Sequence, residues 1–155
     1  MKRIALFLLL LAGVALSCKK SGGTDNVTPV DPRDRMVGSY TVGGQISITS
    51  GSRTLTPTSF SGTVGVTKST QPTELYLDFD LQSGKERLTA SLKDSSFTVL
   101  DKKTEPIILN GTSFVGQYTA TGQFLREGKD QKFTFVSVSQ DVDLKKLTAI
   151  TGTKK

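Results

Sequence analysis

Most enzymatic chemistry at neutral pH needs side chains that exchange a proton, hold a metal or attack a carbonyl, and this 155-residue chain offers few of them. It has no histidine and one cysteine, Cys18. Ser-His-Asp and Cys-His nucleophile pairs therefore cannot be assembled within it. Zinc, copper and haem lose their usual ligands as well, and no glycine-rich phosphate loop is present. Carboxylates remain. Asp78 and Asp80 stand two apart in an alternating segment, so they share a face at roughly 6–7 Å, a spacing that overlaps glycosidase carboxyl pairs. The residues between and around them, Leu77, Phe79 and Leu81, give the pair the look of a solvated outer strand face. Asp141 and Asp143 offer hard oxygens suited to calcium, but no ligand loop surrounds them. The inventory points to a non-enzymatic chain with no cofactor and no metal site.

Around these residues, the chain from Met36 onward is a series of short alternating segments. They are rich in Val, Ile, Phe, Thr and Tyr and separated by Gly, Pro, Ser and Asp clusters, which is an all-β pattern. Tyr40, Val42, Ile46 and Ile48 share one parity over about Gly38–Thr49. Phe60, Val64 and Val66 repeat it, and Leu75 to Leu81 alternate cleanly with Tyr76, Asp78 and Asp80. Leu88 to Leu92, Phe97 and Val99, Ile107 to Leu109, Phe114 to Phe124, Gln131 to Ser139 and Leu147 to Thr151 complete the set. Ser83-Gly84, Asn110-Gly111 and Arg126 to Asp130 read as hairpin turns. About eight or nine short strands in one domain, 36–155, fit an antiparallel sandwich or a closed barrel. Val37 to Gln45 and Val115 to Gln123 match at six of nine positions, each with a Tyr and, four residues on, a Gly. The missing side chain at Gly44 and Gly122 would admit a neighbouring aromatic ring or a bend.

The N-terminus carries a different signal. Lys2 and Arg3 precede Ile4–Leu16, an apolar and small-residue run of 13 residues, short of the roughly 20 that cross a bilayer as a helix. This is the pattern of a secretory leader. Ala15-Leu16-Ser17-Cys18 resembles the lipobox of bacterial lipoproteins, with Leu and the small residue interchanged relative to the commonest order. The resemblance implies cleavage after residue 17 and acylation of Cys18. A lone cysteine in an exported chain has no internal disulfide partner, and acyl chains such as palmitate would give it a role. Residues 18–35 then read as lipidated cysteine and tether, since KKSGGTDNVTPVDPRDR holds only Val27 and Val30 as apolar residues and cannot offset its ordering entropy. From Met36 on there are 14 basic and 11 acidic residues, a balance that serves solubility and does not mark a nucleic-acid surface.

Beyond the lipobox, the chain resembles small lipoproteins of Bacteroidota. CKKSGG follows the cysteine, DPRDRMVGSYTV opens the β domain, and SFTVLDKK and FVGQYTATGQF come later. Some such domains are lipocalin-like (the calycin group), and Gly38-Ser39-Tyr40 sits where a lipocalin carries G-x-W. That resemblance favours the barrel over the sandwich. Lys19 takes the place where some bacteria use Asp to retain a lipoprotein at the inner membrane, so the resemblance implies the outer membrane, in either leaflet. The expected function is a lipid-anchored, non-enzymatic binding or scaffold module, partnered by the membrane through Cys18 and by a protein or small apolar ligand. An alternative is a lipocalin-like carrier with Tyr40, Tyr118, Phe114 and Phe124 as candidate lining residues. A carboxylate-based carbohydrate enzyme using Asp78 and Asp80 is the remaining alternative.

Overall fold

A computed structural model describes residues 30–155. The segments expected from sequence to be a leader, a lipidated Cys18 and a tether, as far as residue 29, lie outside the described residues. Ten strands follow one short 3-10 turn, Pro32–Arg35. They are β1 (Gly38–Ser50), β2 (Arg53–Thr54), β3 (Thr58–Lys68), β4 (Glu74–Leu81), β5 (Gly84–Lys93), β6 (Ser96–Val99), β7 (Thr104–Leu109), β8 (Thr112–Glu127), β9 (Asp130–Asp141) and β10 (Leu144–Lys154).

Eight of these strands close an antiparallel barrel in the order β1-β3-β4-β5-β6-β8-β9-β10, with β10 returning to β1 from Tyr40↔Lys154 to Ser50↔Leu144. The extra strands β2 and β7 pair with β1 and β8. The alternation forecast from sequence is the inside–outside alternation of the wall. Tyr40 and Val42, Val64 and Val66, Leu75 to Phe79, and Tyr118 to Phe124 turn their apolar members inward and are buried. Asn110 and Gly111 both take positive φ, 50° and 81°, as a tight hairpin turn requires. Every barrel strand and the whole aromatic core lie within 38–154, so the domain carries its own core and closes its own edges.

One end, the base, is filled. Phe133 is fully buried, its ring centroid 5.6 Å from Tyr40, 5.7 Å from Phe97 and 5.6 Å from Phe124. The two echoing glycines each make room for a ring, Gly122 within this packing and Gly44 farther along the barrel. A Cβ on Gly44 would run into the Phe60 ring, and one on Gly122 would run into the Phe97 ring, each ring belonging to the directly paired residue of the next strand.

The stretch read as tether ends inside the fold. Asp31 caps the 3-10 turn by accepting from the Arg33 backbone N–H (2.9 Å). The Arg33 guanidinium, buried, donates to the carbonyls of Ser69 and Gln71 in the β3–β4 loop and of Glu74 at the start of β4, and ion-pairs with Asp31 at 2.7 Å. Met36 follows, fully buried, and its carbonyl accepts the Tyr40 hydroxyl at 2.7 Å.

Candidate functional site at the barrel mouth

The wall of the barrel parts on one side, and the cause lies in four residues. β6 and β7 pair with the same edge of β8, Thr98 opposite Thr121 and Thr104 opposite Gln117. Six residues on one strand therefore span four on the other, so Leu100–Lys103 holds two residues too many for an unbroken strand. Pairing with β5 stops there. The Leu100 N–H still donates to the Thr89 carbonyl at 2.9 Å. The Thr89 N–H then turns to the Asp101 carboxylate at 2.8 Å instead of a strand partner. A side chain thus ends the ladder. Among the described residues, Gly84–Leu88 of β5 and all of β7 share no strand pairing.

Charged side chains span this seam. The Lys102 ammonium reaches Glu86 on β5 (2.8 Å) and Glu105 on β7 (3.1 Å), and lies over the Tyr118 ring at 4.6 Å from its centroid. Glu105 also accepts from the Ser139 hydroxyl (2.6 Å) and pairs with Lys146 of β10 at 3.2 Å. Lys146 lies on the inward parity of its strand, in line with Thr148 and buried Ile150. Burial works against the Glu105 charge, but Ser139, Lys146 and Lys102 together outweigh it and hold the carboxyl below its ordinary range. Burial likewise opposes the Lys102 charge, and the hydrogen bonds to Glu86 and Glu105 more than restore it. Burial also pushes the Tyr118 hydroxyl well up, and lifts Tyr40 to about 12.

Beneath the charges is a cavity of about 340 Å³. Its apolar floor includes Phe60, Phe79, Leu88, Phe135 and Ile150, and its rim includes Glu86, Glu105, Lys146, Ser137 and Thr148. An eight-stranded barrel is wide enough to hold one small ligand where side chains leave room, and a few polar groups around an apolar floor are the usual composition of such sites.

The aromatic residues singled out from sequence take other places. Tyr40 and Phe124 meet at 5.9 Å in the filled half. Tyr118 supports Lys102 beside the cavity. Phe114 faces Ile107 across the β7–β8 hairpin and is partly exposed. None of the four lines the cavity floor. Asp78 and Asp80 stand on the outer wall of β4, the first held by Arg87 (2.5 and 3.1 Å) and the second by Lys85 (2.9 Å). No group of three or more metal-ligating residues occurs among the described residues, Asp141 and Asp143 included. Glu86, Glu105 and Lys146 were not singled out from sequence. Their one local signal is a charged residue on a strand's inward parity, which acquires meaning only once closure shows which parity is inward.

No family model matches the chain, and no curated protein matches it. Among solved structures it is similar to a protein of unknown function of the DUF3598 family from Nostoc punctiforme, with 13% identity and a TM-score of 0.48 over 79% of this chain and 48% of that one. It is also similar to a protein of unknown function from Bacteroides ovatus, with 14% identity and a TM-score of 0.42 over 76% of this chain and 41% of that one. The chain thus spans about half the length, or less, of these two structural neighbours.

Proposed function

We propose that this chain is a lipid-anchored, non-enzymatic binding module of the bacterial outer membrane whose barrel mouth takes a small amphipathic ligand. The single observation that carries the binding reading is the cavity at the parted seam, apolar below and charged above. The anchoring half rests on the leader and the lipobox-like Cys18.

The ligand's polar end is suggested by Lys146. Its ammonium has three donors, and Glu105 is its one partner among the described residues. Lys102, by contrast, is engaged by two carboxylates and an aromatic face. A ligand with a short apolar body and a carboxylate or carbonyl head fits this arrangement.

Titrating the barrel with a fluorescent medium-chain carboxylic acid tests the reading. Saturable binding is expected, and Thr148→Phe, which fills the cavity, should abolish it while the circular dichroism spectrum is unchanged. Lys146→Met should weaken the acid about tenfold, the loss of one charge-assisted hydrogen bond, and weaken its methyl ester, which offers only a neutral carbonyl, by less. Absence of saturable binding, or equal binding by Thr148→Phe, refutes the site.

A further inference from the structure

The base of the barrel differs in charge pairing from the rest of the wall. Elsewhere most cations are matched: Lys85 by Asp80, Arg87 by Asp78, Lys102 by Glu86 and Glu105, Lys146 by Glu105. At the base, Arg35, Arg126, Lys129, Lys154 and Lys155 line one open groove of about 710 Å³. None of the five forms an ion pair among the described residues. Arg126 donates to the Gly128 carbonyl and Lys154 to the Arg35 carbonyl, neutral acceptors that leave both charges uncompensated. The groove's one acidic side chain, Asp130, lies 3.9 Å from Lys132. Of the other acids at this end, Asp31 and Asp34 are taken up by Arg33 and Lys68, Glu74 accepts from the Ser69 hydroxyl, and Asp94 and Glu127 form no ion pair among the described residues, with Lys93 next to Asp94 in the chain.

The chain also enters the barrel at this end. Asp31 pairs with Lys68 at the close of β3 (3.1 Å), and Arg33 is bonded into the β3–β4 loop beside it. Eleven residues separate Cys18 from Val30, a span that cannot exceed about 43 Å at full extension. Acyl chains on Cys18 would therefore confine the barrel near a bilayer with its entry end, not its mouth, as the tethered end.

We infer that this unpaired basic base is a docking face for the anionic phosphate headgroups of a bilayer, and that docking sets the barrel upright with the mouth turned away from the membrane. The inference rests on the reading of the chain as lipid-tethered and adds an orientation to it. Basic side chains near an anionic surface each strengthen attachment several-fold and act within a Debye length, about 8 Å at physiological salt. The face does not need to hold the protein there, since the acyl chains would do that. It needs only to choose which end faces the lipid.

The test uses the barrel alone, residues 30–155, so that no acyl chain contributes. Its partition is measured onto vesicles of phosphatidylcholine, and onto vesicles of phosphatidylcholine and phosphatidylglycerol in equal parts. Binding is expected only to the second and should weaken as salt rises. The variant Arg126→Gln, Lys129→Gln, Lys155→Gln should lose affinity on the order of 100-fold. Arg53→Gln, Lys103→Gln, Lys145→Gln removes the same charge from other surfaces and should bind like the parent. Equal loss in both variants, or no preference for anionic vesicles, overturns the inference. Displacement by inorganic phosphate at matched ionic strength also overturns it, because that result marks a discrete phosphate site. The mass of the Cys18 peptide from full-length protein in cells reads the tether separately: an acylated peptide with no vesicle preference removes the docking face and keeps the anchor, and an unmodified one removes the anchor, and the bilayer role drawn for the base with it.

Discussion

Phe133 is in ring contact with Tyr40, Phe79, Phe97, Phe124 and Phe135, contributed by four other strands and by its own. No rotation of a neighbour can fill the space it occupies without breaking another of these contacts. Phe133→Ala should therefore destabilise the barrel by about 3–5 kcal/mol, the range for a deleted core aromatic, as read by urea denaturation. The glycines beside that cluster give the converse test. Gly122→Ala places a methyl where the Phe97 ring and the Thr134 carbonyl already lie, and the cost expected for such overpacking is about 1–3 kcal/mol. Gly43→Ala, whose Cβ would make only ordinary contact with the Phe60 carbonyl, should cost less. Equal losses at Gly122 and Gly43 would mean that the ring is not the cause, since backbone entropy by itself favours both alanines.

Among the elements, the strands and their turns were legible because each reports its own burial locally. Leu75, Leu77 and Phe79 alternate with Tyr76, Asp78 and Asp80 whatever they pair with, and Asn110-Gly111 demands positive φ by itself. The seam was not legible. Nothing within Leu100–Lys103 says that β5 stops pairing there, since the two-residue surplus exists only relative to β8. Arg33 was read as tether for the same reason: its partners are backbone carbonyls 36 to 41 residues away. Tyr40, Tyr118, Phe114 and Phe124 suit a ligand lining by type, and type alone does not distinguish the filled half of a barrel from its open half. The seam makes a pH prediction of its own. The folded pKa of Glu105 is depressed, so its contribution is complete above the unfolded value, about 4.3, and is lost as pH falls through the folded one. The folded pKa of Lys102 is raised, so its contribution is complete below about 10.4 and is lost as pH rises through the folded value. With no histidine in the chain, the ion pairs that bridge the seam should persist from about pH 5 to pH 10. Below that window, amide hydrogen exchange, corrected for the intrinsic rate, should quicken in 84–88 and 104–109 before it does in 130–141. Glu105→Gln should remove this acid step.

For the molecule as a whole, closure couples the first strand to the last. β1 and β10 pair along their full length although about a hundred residues of chain lie between them, whereas β8 and β9 are joined by a tight turn at Gly128, whose φ is +61°. Joining distant segments costs loop entropy before any contact compensates for it, so topologies rich in such pairings fold slowly. The β8–β9 hairpin can form first at small entropic cost, and it already brings Phe124 and Phe133 opposite each other. Sealing β10 onto β1 then comes last and removes the two exposed edges that would otherwise invite association. Conservative truncations should separate these events. Phe135→Leu, in the hairpin, should slow refolding. Ile150→Val, a buried β10 residue opposite Gly44, should cost about 0.5–1.5 kcal/mol and appear almost wholly as faster unfolding. Stopped-flow chevrons of the two variants measure this directly, and a refolding arm slowed equally by both would show that closure belongs to the rate-limiting step.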